Sequence, residues 1–282
     1  MRRNFRSPIS GFRLPSITLF LLSVLLSSVC AQQIILKSGQ TVETRGLRRS
    51  GDMVMGKIEV AGSSGEVGYP VNSIARIAFP EPQGLKSAEN LLSQGEGERA
   101  IAEVTPIITF YQGFRDIPGA WWGQAAVIKV SALAALGRDA EAEPLATEIQ
   151  KNTTDPEIAR AANLRIAAAL VRKEEWEKAA LICDAAIKES ARPDVLADAW
   201  VTKGNLLLAQ KQWDAALLAF LRVPVFYREE KLFLPPALLG SGRAYRRLED
   251  LDRAKKSFNE LIAAFPKSAE AALAQTEMQK LK

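Results

Sequence analysis

The chain has 282 residues, with 37 Lys and Arg against 32 Asp and Glu, two cysteines and no histidine. Without histidine, the usual general base, the commonest metal ligand and the usual near-neutral pH sensor are all missing. The formal charge of +5 is concentrated at the start. Without Arg2, Arg3, Arg6 and Arg13, acids and bases nearly balance, leaving no field to draw in nucleic acid or anionic lipid.

Those arginines open a leader that contains no acidic residue. An apolar run over residues 17–29 comes next, then Val29-Cys30-Ala31, a small-residue pattern. This layout predicts a secretory signal peptide, residues 1–31, cut between Ala31 and Gln32. The run is shorter than the roughly 20 apolar residues needed to span a bilayer. The expectation is a periplasmic or secreted protein with no stable membrane insertion after cleavage. Ser27-Ser28-Val29 ahead of Cys30 is a poor lipoprotein signature, so lipidation of Cys30 is the weaker alternative. With Cys30 gone, Cys183 stands alone, and buried apolar area must do the work that disulfides do in many exported domains.

Residues 32–80 read as strands and turns. Apolar and polar residues alternate through Thr41-Val42-Glu43-Thr44 and from Met53 to Val60, and turns fall at Ser38-Gly39, Ser50-Gly51-Asp52 and Gly62 to Gly65. This spacing predicts a small antiparallel β-barrel of five strands, with Ile35, Val42, Val54, Ile58, Val67, Val71, Ile74 and Ile77 as its core. A module this small buries little and should lean on the first helices. Leu36, Gly39, Ile74 and Ile77 give it a resemblance to the Sm- or SH3-like modules of exported bacterial proteins. Pro80-Glu81-Pro82 then breaks strand pairing and serves as the linker to the helical region.

From residue 83 to 282 the sequence is helical and repetitive. Alanines at 100, 142, 179, 216 and 254 recur every 37 to 42 residues, and prolines at 82, 118, 156, 193, 236 and 266 keep a similar beat. Asp155-Pro156-Glu157 shows how a unit begins: a capping side chain, a proline suited to the first turn, and an acid that suits the helix dipole. A period of this size predicts stacked helical hairpins, about five of them, rather than one closed core. The last unit reads Gly242-x2-Tyr245, Ala254-x3-Phe258, Pro266. The unit before it reads Trp200-x3-Gly204-x2-Leu207 and Ala216-x3-Phe220, and Ala167, Leu170, Ala179 and Cys183 fill the same places one unit earlier. On these residues the region resembles tetratricopeptide repeat proteins. The fold expectation is therefore mainly α, a solenoid of hairpins preceded by the β-module. The longest irregular insert, residues 226–233, carries aromatics that should pack back onto the array.

The motifs that could carry chemistry have plainer explanations. Gly240-Ser241-Gly242 lacks the strand, third glycine and lysine of a nucleotide loop, and Gly242 fits a helix contact. Glu174-Glu175 and Glu229-Glu230 are adjacent in sequence and so face different ways, as solvated helix ends do. Cys183 takes a packing position. Asn152-Thr153-Thr154 is a glycosylation sequon of use only in a eukaryotic secretory route. Trp121-Trp122 should split, one ring in the core and one at the surface. No metal site, cofactor or catalytic group is expected.

The resemblance implies a groove lined by the first helix of each hairpin. It places Arg172, Asn205, Arg243, Arg246 and Arg247 at or near that face, with Val127, Leu164, Val201 and Leu239. Such a surface suits an extended peptide with carboxylate groups, although a solvated basic helix end accounts for these arginines equally well. The reading is a non-catalytic scaffold for protein or peptide partners of the cell envelope. An envelope hydrolase on a helical scaffold and a self-associating structural protein are the alternatives.

Overall fold

A computed structural model describes residues 32–60 and 63–281. The expected leader and its expected cut after Ala31 lie outside the described residues; Gln32 opens the first strand.

Five strands come first: β1 (Gln32–Leu36), β2 (Thr41–Ser50), β3 (Met53–Val60), β4 (Ser63–Pro70) and β5 (Ile74–Ala78). They form one antiparallel sheet in the order β4-β3-β2-β1-β5. β2 serves both halves: Thr41 to Thr44 pair with β1, Arg45 to Ser50 pair with β3, and the register shifts between Arg45 and Arg48 around Gly46, whose φ is 62°. The five-strand expectation holds, but the barrel does not close. Its outer strands β4 and β5 do not pair with each other. The physical reason lies outside the module. The free edge of β5 is taken by the helical part, where Ile77 N–H donates to the Pro118 carbonyl at 2.8 Å. Gly119 makes this approach possible, because a Cβ there would sit 2.0 Å from the Ile77 carbonyl oxygen.

The sheet core also differs by one register step. Ile34 is fully buried and Ile35 is not, because Ile34 stands opposite both Val42 and Ile77. Val54, Ile74 and Ile77 are buried as expected and Leu47 joins them. Val42, Val67 and Val71 are only half-buried, as is Ile58. A one-residue slip moves every side chain to the other face of a strand. The core is continuous with the first helices, and Phe79 closes the seam edge-on against Tyr111 and Phe114.

Eleven α-helices come after the sheet among the described residues: α1 (Gln83–Ser93), α2 (Gly97–Tyr111), α3 (Trp122–Ala135), α4 (Asp139–Asn152), α5 (Pro156–Arg172), α6 (Trp176–Glu189), α7 (Pro193–Ala209), α8 (Trp213–Phe226), α9 (Leu234–Arg247), α10 (Leu251–Ala264) and α11 (Ala269–Gln279). They pair as five consecutive hairpins, with α11 packed against α10 and α9 of the last one. All five marker alanines lie in the second helix of a hairpin and are buried, as are the residues four places on: Val104, Ala146, Cys183, Phe220 and Phe258. The small-residue contact is sharper than alanine against glycine. A Cβ on Gly204 or Gly240 would meet the Phe220 ring at 2.6 or 2.4 Å, and one on Gly242 would meet Phe258 at 2.4 Å. Phe220 and Phe258 thus pack their rings directly on glycine backbone.

Each hairpin turns in the same way. Gly95, Gly137, Glu174, Lys211 and Glu249 all have φ between 61 and 78°, in the left-handed region. The next N–H closes back five residues onto Leu91, Leu133, Leu170, Leu207 or Tyr245 at 2.8–3.0 Å. That is the helix-ending motif in which a left-handed residue lets the last carbonyls find donors. Asp155 caps α5 as its sequence implies, accepting from Glu157 N–H and Ile158 N–H. The array also curves far enough for its ends to meet: a Cβ on Gly95 would lie 2.8 Å from the Lys267 carbonyl oxygen and 3.3 Å from the Ala269 nitrogen. No described helix is long and apolar enough to cross a membrane.

Candidate functional site: an inner cavity walled by the first helices

The first helices of four hairpins converge on one cavity of about 430 Å³. α1 contributes Glu89 and Ser93, α3 contributes Gln124 and Val127, α5 contributes Ile158 and α7 contributes Asp194 and Asp198. The remaining wall is the insert between α8 and α9, from Glu229 to Phe233. Its aromatics hold it down as expected: Tyr227 and Phe233 pack on the cluster around Val201 and Ala237, and Leu232 reaches the core of the first hairpins. Phe226 instead points outward, 69% exposed. Glu229 is solvated as expected and Glu230 is half-buried, but neither stands at a helix end. They sit in this strap, which carries them over the cavity mouth.

The lining mixes apolar side chains with five carboxylates. Arg192 clamps Asp194 through two nitrogens, at 3.0 and 2.5 Å. Asp198 is buried, 5% exposed, and its Oδ1 accepts from Arg165 and from the Thr202 hydroxyl. Glu89 and Glu230 have no ion-pair partner among the described residues. Withdrawal from bulk water raises the Glu89 carboxyl above the ordinary glutamate value; Asp194 and Glu81 push the same way, while Arg192 and Lys86 oppose. Glu230 is raised by the same withdrawal, then by Asp194, with Arg192 opposing and Glu89 and Glu229 adding to the rise. Three carboxylates on different elements thus feel one another across the cavity.

Most residues expected at the groove are not in the wall of this cavity. Val127 does line the cavity. Arg172 ends α5 and pairs with Asp139 of α4 at 2.6 Å, and Asn205 is exposed on α7. Arg243 and Arg246 come together, but on the chain's own acid: both engage Glu277 of α11, which is 9% exposed, Arg243 at 3.2 Å. Arg247 stacks over the Trp213 ring at 5.4 Å. Leu164, Val201 and Leu239 are buried in the hairpin cores. The residues missed, Glu89, Asp194, Asp198 and Glu230, belong to no repeat position. Only the helix assignment of α1 and α7, traced turn by turn, would have placed the first three on an inner face.

A second cavity of about 410 Å³ lies where β5 meets the helices, sharing Gln124 and Ile158 with the first. Trp121 lines it and its indole N–H donates to the Phe79 carbonyl, while Trp122 is fully buried and donates to Gln112 Oε1 at 2.8 Å. The pair splits only in part: Trp122 is in the core, while Trp121 is half-buried against it rather than at the surface. Cys183 is fully buried, and burial pushes its thiol up to about 12, so it packs as a small hydrophobe. Among the described residues no cluster of acids and cysteines could hold a metal ion.

No curated protein matches the chain. Residues 236–268, from the start of α9 to the N-cap of α11, match the family model described as a tetratricopeptide repeat. That match and the five consecutive hairpins together support a tetratricopeptide repeat protein, a class that generally holds protein partners.

Proposed function

We propose that this chain is an exported scaffold that holds a segment of an envelope protein in the inner cavity. The observation that carries the reading is the convergence of α1, α3, α5 and α7 on one cavity whose walls mix apolar side chains with a few polar groups, the usual make-up of a recognition site. Export rests on the arginine leader, the apolar run over residues 17–29 and the Val29-Cys30-Ala31 pattern. The near balance of charge beyond the leader favours protein partners over nucleic acid. The hydrolase alternative needs two carboxyl groups held in different protonation states. The tetratricopeptide match over residues 236–268 instead favours a binding scaffold.

The test is capture from the exported fraction with the natural chain and with Val127→Arg, which fills the cavity from α3. Partners should be lost with the variant while its circular dichroism stays unchanged. Equal recovery of the same partners by both proteins would overturn the cavity as the binding site.

A further inference from the structure

We propose that the inner cavity takes a lysine or arginine side chain from an amphipathic basic segment of the partner. The inference rests on the scaffold reading and adds the chemistry of what is held.

Three observations meet in the cavity. The first is charge. Five carboxylates line it, against only Arg192 and Lys231. Arg192 is already committed to Asp194, and Lys231 Nζ donates to the Arg228 carbonyl at 3.1 Å. Glu89, exposed on α1, and Glu230, half-buried in the strap, have no direct ion pair among the described residues, so a positive group entering between them meets attraction from two separate elements.

The second observation is Asp198. It lies on the cavity wall and is more than nine-tenths buried, yet both of its described partners, Arg165 and Thr202, bind the same oxygen. Oδ2 has no described partner. Oδ2 keeps contact with solvent, and an ammonium or guanidinium group entering the cavity can donate to it.

The third is the apolar wall. Val127, Ile128, Ile158, Val195, Leu232 and Phe233 line the same space. Lysine and arginine carry aliphatic stems that bury against apolar surface while the charged head reaches a polar group. A bare inorganic cation would leave these walls unused. An acidic peptide would set like charges together here, and the arginines that might have received it elsewhere, Arg243 and Arg246, are engaged by Glu277.

The experiment uses the full chain and three fluorescein-labelled synthetic peptides of one length: alternating leucine and lysine, the same with glutamate for lysine, and the same with norleucine for lysine. Fluorescence anisotropy is read at low and at physiological salt. The leucine–lysine peptide should bind most tightly and weaken with salt. Its Kd should rise roughly tenfold in the double variant Glu89→Gln, Glu230→Gln, whose side chains are not part of the core. Val127→Arg should abolish its binding. Tighter binding of the glutamate or norleucine peptide at a site closed by Val127→Arg overturns the basic-segment inference and leaves the scaffold standing. Lysine-peptide binding that ignores both variants marks surface attraction and also overturns it. Binding of none of the three overturns it too, while partner capture decides the scaffold reading separately.

Discussion

Phe220 is held between two glycines of different helices, Gly204 on α7 and Gly240 on α9. The ring is fully buried and has no room to retreat. Adding one methyl group in Gly240→Ala should overpack this contact and lower stability by about 1–3 kcal/mol, read as a fall in the midpoint of urea unfolding with an unchanged slope. At this scale the sequence was partly legible. Gly242 reads as a helix contact from its place in the repeat, and its partner proves to be Phe258. Gly240 has no such place: it packs on the phenylalanine of the preceding hairpin, a contact between units that no within-unit spacing reveals.

Among elements, the turns inside the hairpins are the most regular feature. All five use a left-handed residue five positions before the marker alanine, but only the first two use glycine. Glu174, Lys211 and Glu249 accept a conformation that side chains with a Cβ disfavour. Lys211→Gly and Glu249→Gly should therefore each raise stability by roughly 0.5–1 kcal/mol, less whatever the freer unfolded chain takes back, measured as an increase in Tm. The hairpins were legible because alanine, proline and the capping Asp155 mark their ends by local chemistry. Sheet closure was not, since the group that occupies the edge of β5 is the carbonyl of Pro118, some forty residues away and part of a helical loop. The Ile34 register was likewise hidden, because alternation fixes the period of a strand but not which of its two faces meets the core.

The whole molecule sets the electrostatics of the cavity, and with them a dependence on pH. Glu89 and Glu230 hold their protons more tightly folded than unfolded. Stability they contribute is therefore greatest when both states are protonated, and it falls as pH rises from the ordinary glutamate value through the raised folded one. Glu230→Gln should raise Tm at pH 7 and have little effect near pH 4, with thermal melts at the two pH values as the check. An equal gain at both would rule out the carboxylate charge as the cause. The strap that brings Glu230 to the cavity was legible only as an aromatic insert that packs inward. Where it lands depends on the curvature of the entire stack, which accumulates from small rotations at every hairpin.

The meeting of Gly95 with Lys267 and Ala269 gives this curvature a further meaning. Open arrays lengthen or shorten by gaining or losing whole modules, since each contacts only its neighbours. Here the first turn and the last loop touch, so a duplicated module would have to break that junction. Inserting a module between these two points should therefore destabilise the stack as well as lengthen it, a cost that an open array does not meet.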